Sequence, residues 1–215
     1  MEKEAKNIEE NHKRYVVLMV ITLVSGLLLG MVYEVTKDPI KKQEEEQKIA
    51  AYQKVFEDAE TFEKTEDQEA TDQMIAESLK KAELEGKAQI DEVLKAVSKD
   101  GNTLGAVMQI TSKEGYGGDI CFTVGIQNDG TVNGISILSI SETAGLGMKA
   151  DTEEFRNQFA GKKADAFTYT KTGATAENEI DAISGATVTT NAVTNGVNAG
   201  LSFFRTLSEG GVLDE

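Results

Sequence analysis

Two near-copies of one tetrapeptide, Thr-Gly-Ala-Thr at 172–175 and Ser-Gly-Ala-Thr at 184–187, lie close together in the second half of the chain. Each offers two hydroxyls and a glycine that lets the backbone come close to a ligand. Ahead of a helix, such a turn gains a further property. The first backbone N–H groups of the helix have no partner and carry partial positive charge, which together favour a phosphate. Behind the second copy, the segment TTNAVTNGVNAGLSFFRTL puts Val193, Val197, Leu201 and Phe204 on one helical stripe, with Thr189 or Thr190 as N-cap. Behind Thr175 comes AENEIDAI, which is acidic and has no such stripe. The second copy is therefore the candidate phosphate cradle, and the competing reading is a hydroxyl cap on an ordinary helix.

Other chemistries have few residues to work with. One histidine, His12, and one cysteine, Cys121, leave no zinc-type ligand cluster and no internal disulfide, and His12 lies in a polar N-terminal segment away from any nucleophile. No metal site and no catalytic residue are expected. The formal net charge of -15 falls on the chain after residue 14, because Lys3, Lys6, Lys13 and Arg14 balance Glu2, Glu4, Glu9 and Glu10 before it. An acidic body repels a phosphate backbone, so nucleic acid is not an expected partner.

The elements that must position the cradle follow from hydropathy and periodicity. Tyr15 to Tyr33, YVVLMVITLVSGLLLGMVY, runs without a charge. As a helix it reaches about 28 Å, enough to cross a bilayer's hydrocarbon. Its apolar stretch is long for a cleaved signal peptide and has no small-residue cleavage site, so a retained transmembrane helix in membrane lipid is expected. Nearby basic residues tie at four before the helix and four after it, Lys37, Lys41, Lys42 and Lys48. Lys13-Arg14, directly abutting the apolar stretch, tilts the reading towards a cytoplasmic N-terminus with the body outside. Asp38-Pro39 suits the start of a stalk helix that docks Ile49, Tyr52, Val55 and Phe56. From Glu57 to Gly86 the chain is acidic and weakly periodic, a surface helix or an insertion.

Beyond it, IDEVLKAV, the KDGN turn and LGAVMQI predict a hairpin with Leu104, Ala106, Met108 and Ile110 on one face. A second hairpin is predicted from Ile120, Phe122, Val124 and Ile126, the Asn128-Asp129-Gly130 turn and TVNGISILSI. The expected fold class is α+β: an antiparallel sheet with packed helices, preceded by one N-terminal transmembrane helix and a stalk helix. The expected divisions are 1–14 cytoplasmic segment, 15–33 transmembrane helix, 34–86 stalk helix and acidic linker or insertion, 87–208 cradle-bearing domain and 209–215 tail.

DAISGAT, Asp181 to Thr187, resembles the D-x-x-[ST]-G-A-T motif of the FMN-binding domain family, in which the final threonine hydroxyl is esterified to the flavin's phosphate. Six residues before Thr187 stands the acidic Asp181, whereas six before Thr175 stands Tyr169, so the first copy does not match. SETAGLGMK, Ser141 to Lys149, is similar to the family's E-T-P-G-L-G loop, with Ala144 in place of the usual proline, and GYGG at Gly115 to Gly118 is similar to its glycine-aromatic segment. The three motifs in this order behind one anchor resemble the flavin-bearing subunits of Rnf-type complexes and, next to them, of sodium-translocating NADH:quinone reductases.

The resemblance implies FMN held covalently at Thr187, moved there from FAD by a separate magnesium-dependent flavin transferase. Gly185 and Ala186 would let the backbone approach the phosphate, and Ser184, Thr189 and Thr190 can donate to its oxygens. It further implies Glu142 and Thr143 near the polar edge of the flavin ring, and Gly145-Leu146-Gly147 along its face. Lys149 could offset negative charge on the flavin or its phosphate, or simply be a surface charge. The implied activity is electron transfer among membrane subunits of an Rnf-type complex that couples ferredoxin oxidation and NAD reduction to cation movement. Such a subunit turns over no soluble substrate alone. A non-catalytic, membrane-anchored binding or assembly module is the alternative, and it predicts no yellow colour.

Overall fold

The computed structural model describes residues 2–65 and 68–209, with side chains described for 13–65 and 69–209. The chain begins with α1, Glu2–Val55, a single helix that divides between two units, residues 1–47 and the body at 48–215. Among the described residues it is the one helix long and apolar enough to cross a membrane. Side chains of its apolar stretch lie open, Leu23 at 64% and Leu29 at 71% exposure, and water disfavours such a surface. The helix is thus a single membrane anchor. A new helix start at Asp38-Pro39 is not found, because α1 runs through Pro39 unbroken. Proline there removes one hydrogen bond, to the carbonyl of Val35, on an exposed stretch where that carbonyl can be solvated.

The body is built on a six-stranded antiparallel sheet in sequential order: β1 Thr61–Lys64, β2 Ala88–Val97, β3 Thr103–Ser112, β4 Ile120–Gln127, β5 Thr131–Ser139 and β6 Lys162–Lys163. Both predicted hairpins form, β2 with β3 and β4 with β5, and Gly130 takes the left-handed conformation the second turn needs (φ +86°). Ala106, Met108 and Ile110 face the main core together, but Leu104 does not. The pairing skips from Ala96–Gly105 to Val97–Thr103, and this irregularity sends Leu104 to the other face of the sheet.

One face of the sheet carries α4, Thr187–Glu209, whose predicted stripe of Val193, Val197, Leu201 and Phe204 is buried. Contact is close at Gly196, where a Cβ would stand 2.6 Å from the Phe122 ring. The other face carries the end of α1. Tyr52, Val55 and Phe56 pack on Leu94, Ala96 and Val107 as expected, whereas Ile49 stays 58% exposed and Ala51 is buried instead. Tyr52 donates a hydrogen bond to Glu92 at 2.8 Å, and Lys48 and Lys64 flank the same carboxylate at 3.9 and 3.8 Å. Burial, then the bond to Glu92, pushes the Tyr52 phenol above its ordinary value. A raised acid contributes stability below the unfolded value of about 10, and that stability is lost as pH rises towards the folded one. Urea melts on either side of pH 10 should therefore show a steeper loss of stability for wild type than for Tyr52→Phe, and equal slopes would contradict this account of the docking.

In the acidic region from Glu57 to Gly86 the surface helix of the two readings forms, and the region is part of the body. It supplies edge strand β1 and helix α2, Gln68–Lys81, which packs on α4 through Leu79 and Ala199, with Ser202 donating to the Ser78 carbonyl at 3.0 Å. The fold also holds a short parallel pair that periodicity did not signal, β7 Thr168–Thr170 with β8 Glu179–Asp181. A 3₁₀ turn, Gly147–Asp151, and one-turn helix α3, Glu153–Arg156, follow β5. Of the expected tail at 209–215, Glu209 ends α4 and the rest lies outside the described residues.

Candidate functional site

The two tetrapeptides have different surroundings. The first lies in the exposed loop between β7 and β8, where the Glu179 carboxylate takes the Thr175 N–H at 2.7 Å, the Thr175 hydroxyl at 3.1 Å and the Ala176 N–H at 3.1 Å. Asp181 takes the Ala174 N–H at 2.5 Å. Thr175 is thus committed to an internal carboxylate. Those N–H donors, and then the hydroxyl, hold the Glu179 carboxyl below its ordinary value, so the contact is present above the usual carboxylate range and is lost as pH falls through the folded value. Glu179→Gln is expected to speed hydrogen exchange at the Thr175 and Ala176 amides, and unchanged exchange would mean the carboxylate does not hold the loop in solution.

The second copy forms the mouth of α4. Gly185 is left-handed (φ +76°) and turns the chain, Ala186 donates to the Ile183 carbonyl at 2.9 Å, and the helix begins at Thr187. Thr189 and Thr190 are therefore inside the first turn rather than caps. The Thr190 hydroxyl, fully buried, accepts the Ile183 N–H at 3.0 Å and donates to the Ala186 carbonyl at 3.1 Å, pinning the turn from within. Thr189 is also buried and donates to Glu142 at 3.0 Å. Both hydroxyls are used by the protein itself. Helix geometry leaves the N–H groups of Thr187, Val188 and Thr189 without intrahelical partners, at the positive end of a 23-residue helix.

Thr187 is half-buried and lines a cleft of about 520 Å³. Gly185, Ala186 and Val188 stand beside it, Glu142, Thr143, Leu146 and Gly147 come from the loop after β5, and Tyr116 from the loop after β3. The expected residues do not all meet in one place. Lys149, Asp181 and Ser184 line an adjoining hollow of about 270 Å³. Gly145 is left-handed (φ +77°), and the Thr143 carbonyl accepts from the N–H groups of Leu146 and Met148 at 3.1 and 3.2 Å, so internal bonds shape the loop where proline is usual and Ala144 stands. The Glu142 carboxylate points inward, to Thr189 and to the Gly117 N–H at 3.1 Å.

Tyr116 at 77% exposure, Leu146 at 42% and Val188 at 50% give the mouth an apolar rim. Tyr116 and Val188 were not singled out from sequence. GYGG marked the loop, but only the fold brings Tyr116 to the cleft. Another hollow, of about 440 Å³, lies at the far end of α4 beside Asp129, Lys163 and Arg205. A helix C-terminus there is the wrong pole for a phosphate.

The FMN-binding domain family matches residues 115–202, a span that begins at GYGG and ends within α4. The G subunit of the Na(+)-translocating ferredoxin:NAD(+) oxidoreductase complex of Acetobacterium woodii is 31% identical over 198 residues, covering 90% of this chain and 91% of that one. The G subunit of the ion-translocating oxidoreductase complex of Methanosarcina acetivorans is 29% identical over 197 residues, with 91% and 95% covered. The G subunit of the proton-translocating ferredoxin:NAD(+) oxidoreductase complex of Clostridium ljungdahlii is 43% identical over 115 residues, 54% of this chain and 61% of that one. Among solved structures, Shewanella oneidensis NqrC aligns with a TM-score of 0.48 at 22% identity, covering 57% of this chain and 61% of that chain.

Proposed function

We infer the function from one premise: the chain belongs to the G-subunit family of Rnf-type ion-translocating oxidoreductase complexes and carries that family's FMN-binding domain. On this reading it is a membrane-anchored electron carrier in a complex that oxidises ferredoxin, reduces NAD and moves a cation. FMN is joined to Thr187 by a phosphoester. The observation that carries the reading is the contrast between the two threonines: Thr187 lines a cleft at the positive end of α4, while the Thr175 hydroxyl is held by Glu179.

The residues present fit such a group. A cleft of about 520 Å³ is within the range of small-molecule sites, roughly 300 to 1,000 Å³. Its floor carries unpartnered helix N–H groups for a phosphate, and its rim carries apolar surface for a flat ring. Bound FMN supplies the redox chemistry, while the protein supplies position and electrostatics. Gly185 and Ala186 bring the backbone to the phosphate, and Thr143, Leu146 and Gly147 line the same cleft from the loop after β5, which the left-handed Gly145 turns without lining the cleft itself. Lys149 and Ser184, in the adjoining hollow, offer a positive charge and a free-standing hydroxyl on the outer side of the turn, next to Asp181. Thr189 and Thr190 support the turn from inside instead of binding phosphate oxygens.

Attachment is the work of a separate, magnesium-dependent flavin transferase with FAD as donor. The bond from the Thr187 Oγ to the FMN phosphorus forms as the P–O–P bond of FAD breaks. AMP leaves, and the hydroxyl proton passes to a base of the transferase. The N-terminus of α1 is cytoplasmic and the body extracytoplasmic, where a tethered cofactor is not lost by diffusion. Membranes from cells lacking this protein, restored with wild type or with Thr187→Ala, test the reading through ferredoxin-dependent NAD reduction. Wild type should restore the activity and Thr187→Ala should not, and equal restoration would remove Thr187 from the electron path.

A further inference from the structure

We propose that Glu142 is a positioning residue, a buried clamp that fixes the mouth of α4 against the Tyr116 loop and so presents the Thr187 hydroxyl for modification. The proposal rests on the reading of Thr187 as the flavin acceptor.

Glu142 is 9% exposed, and each carboxylate oxygen has its own donor, the Gly117 N–H for Oε1 and the Thr189 hydroxyl for Oε2. One side chain thereby joins three segments far apart in sequence: the loop after β3, the loop after β5 and the first turn of α4. The fit is close on the remaining side, because a Cβ on Gly147 would stand 2.6 Å from Glu142 Oε2 and also 2.6 Å from Thr189 Oγ1. Asn195 donates to Glu114 at 2.6 Å, a second tie between α4 and the Tyr116 loop, so losing the clamp loosens the mouth without releasing the loop. Thr189 is two residues beyond Thr187, within the same helical turn. Whatever moves it moves the acceptor hydroxyl and the three open N–H groups together. A carboxylate suits the position because both partners are donors. Glutamine can keep the arrangement if the Thr189 hydroxyl turns to accept, whereas alanine leaves the Gly117 N–H and the Thr189 hydroxyl with no acceptor.

The test is the rate of flavin attachment to the full-length chain in detergent, purified flavin-free and given purified transferase, FAD and Mg²⁺. Initial rates are measured against chain concentration for wild type, Glu142→Ala, Glu142→Gln and Thr189→Val. A displacement of the acceptor near 1 Å lowers the rate about 100-fold, so Glu142→Ala should lose that much in kcat while KM, set by outer surfaces, stays near wild type. Glu142→Gln should stay within about fivefold, the worth of one hydrogen bond. Thr189→Val should fall between them, and its effect should not add to that of Glu142→Ala. Wild-type kcat in Glu142→Ala overturns the clamp while leaving Thr187 as acceptor. If Glu142→Ala fails to fold, Thr189→Val decides, and a wild-type kcat there overturns the proposal equally. Absence of labelling in wild type would overturn the Thr187 reading itself and the clamp with it.

Discussion

Thr187→Ala is expected to abolish covalent flavin in the full-length chain co-expressed with a flavin transferase, and Thr175→Ala to leave it at the wild-type level. This is the expected in-gel fluorescence result, and the difference is all or none because a phosphoester needs the hydroxyl oxygen as its bridging atom. The two threonines share their local sequence but not their surroundings. Thr175 donates to Glu179 in an exposed loop with no helix behind it, whereas Thr187 opens a 23-residue helix and faces the cleft. Loss of labelling in Thr175→Ala with retention in Thr187→Ala would reverse the assignment.

Gly147→Ala has the second-largest expected effect. Gly147 is buried, and an added Cβ would stand 2.6 Å from Thr189 Oγ1, 2.6 Å from Glu142 Oε2 and 2.7 Å from Glu142 Cβ. None of these atoms can withdraw easily, since two of them are the clamp and the third is its stem. Overpacking of this kind costs about 1–3 kcal/mol. At roughly 2–4 °C per kcal/mol for a body of this size, Tm should drop by several degrees, and flavin attachment should fall with it. Gly145→Ala is the informative contrast. Nothing lies within 4 Å of its added Cβ, so only the left-handed backbone (φ +77°) is strained, at about 1–2 kcal/mol, and attachment should persist. Equal loss of attachment in both variants would mean that loop conformation, rather than packing on Glu142, governs the site.

The parts of the molecule legible in the sequence are those with a local period. The α4 stripe and the two hairpins follow from spacing that repeats every few residues, and each forms as expected. What period cannot convey is a single residue that changes the count. Leu104 alternates correctly on paper, yet a skipped pairing opposite Ala96 and Val97 turns it to the other face. Pro39 reads as a helix start, but α1 continues because an exposed helix tolerates one missing bond. The acidic stretch reads as a surface helix or an insertion, and helix α2 is the first of these, but strand β1 is not signalled, because only a few residues of this region, such as Leu79, touch the core.

The mouth of α4 was legible for a related reason: the glycine turn, Thr187 and the helix behind them are contiguous, so Gly185, Ala186 and Thr187 could be read together. The inward roles of Thr189, Thr190 and Glu142 were not legible, because each depends on a partner from a distant segment or on which side of the helix turns inward. Asp181 shows the same limit. It marks the second copy by spacing, yet its carboxylate holds the loop that contains the first.

Intact mass of the wild-type chain after co-expression with a flavin transferase, followed by mapping of the modified peptide, tests the central claim most directly. The account predicts a gain equal to FMN less one water, carried on the peptide that contains Thr187. An unmodified mass despite an active transferase, or an adduct on any other residue, would contradict it.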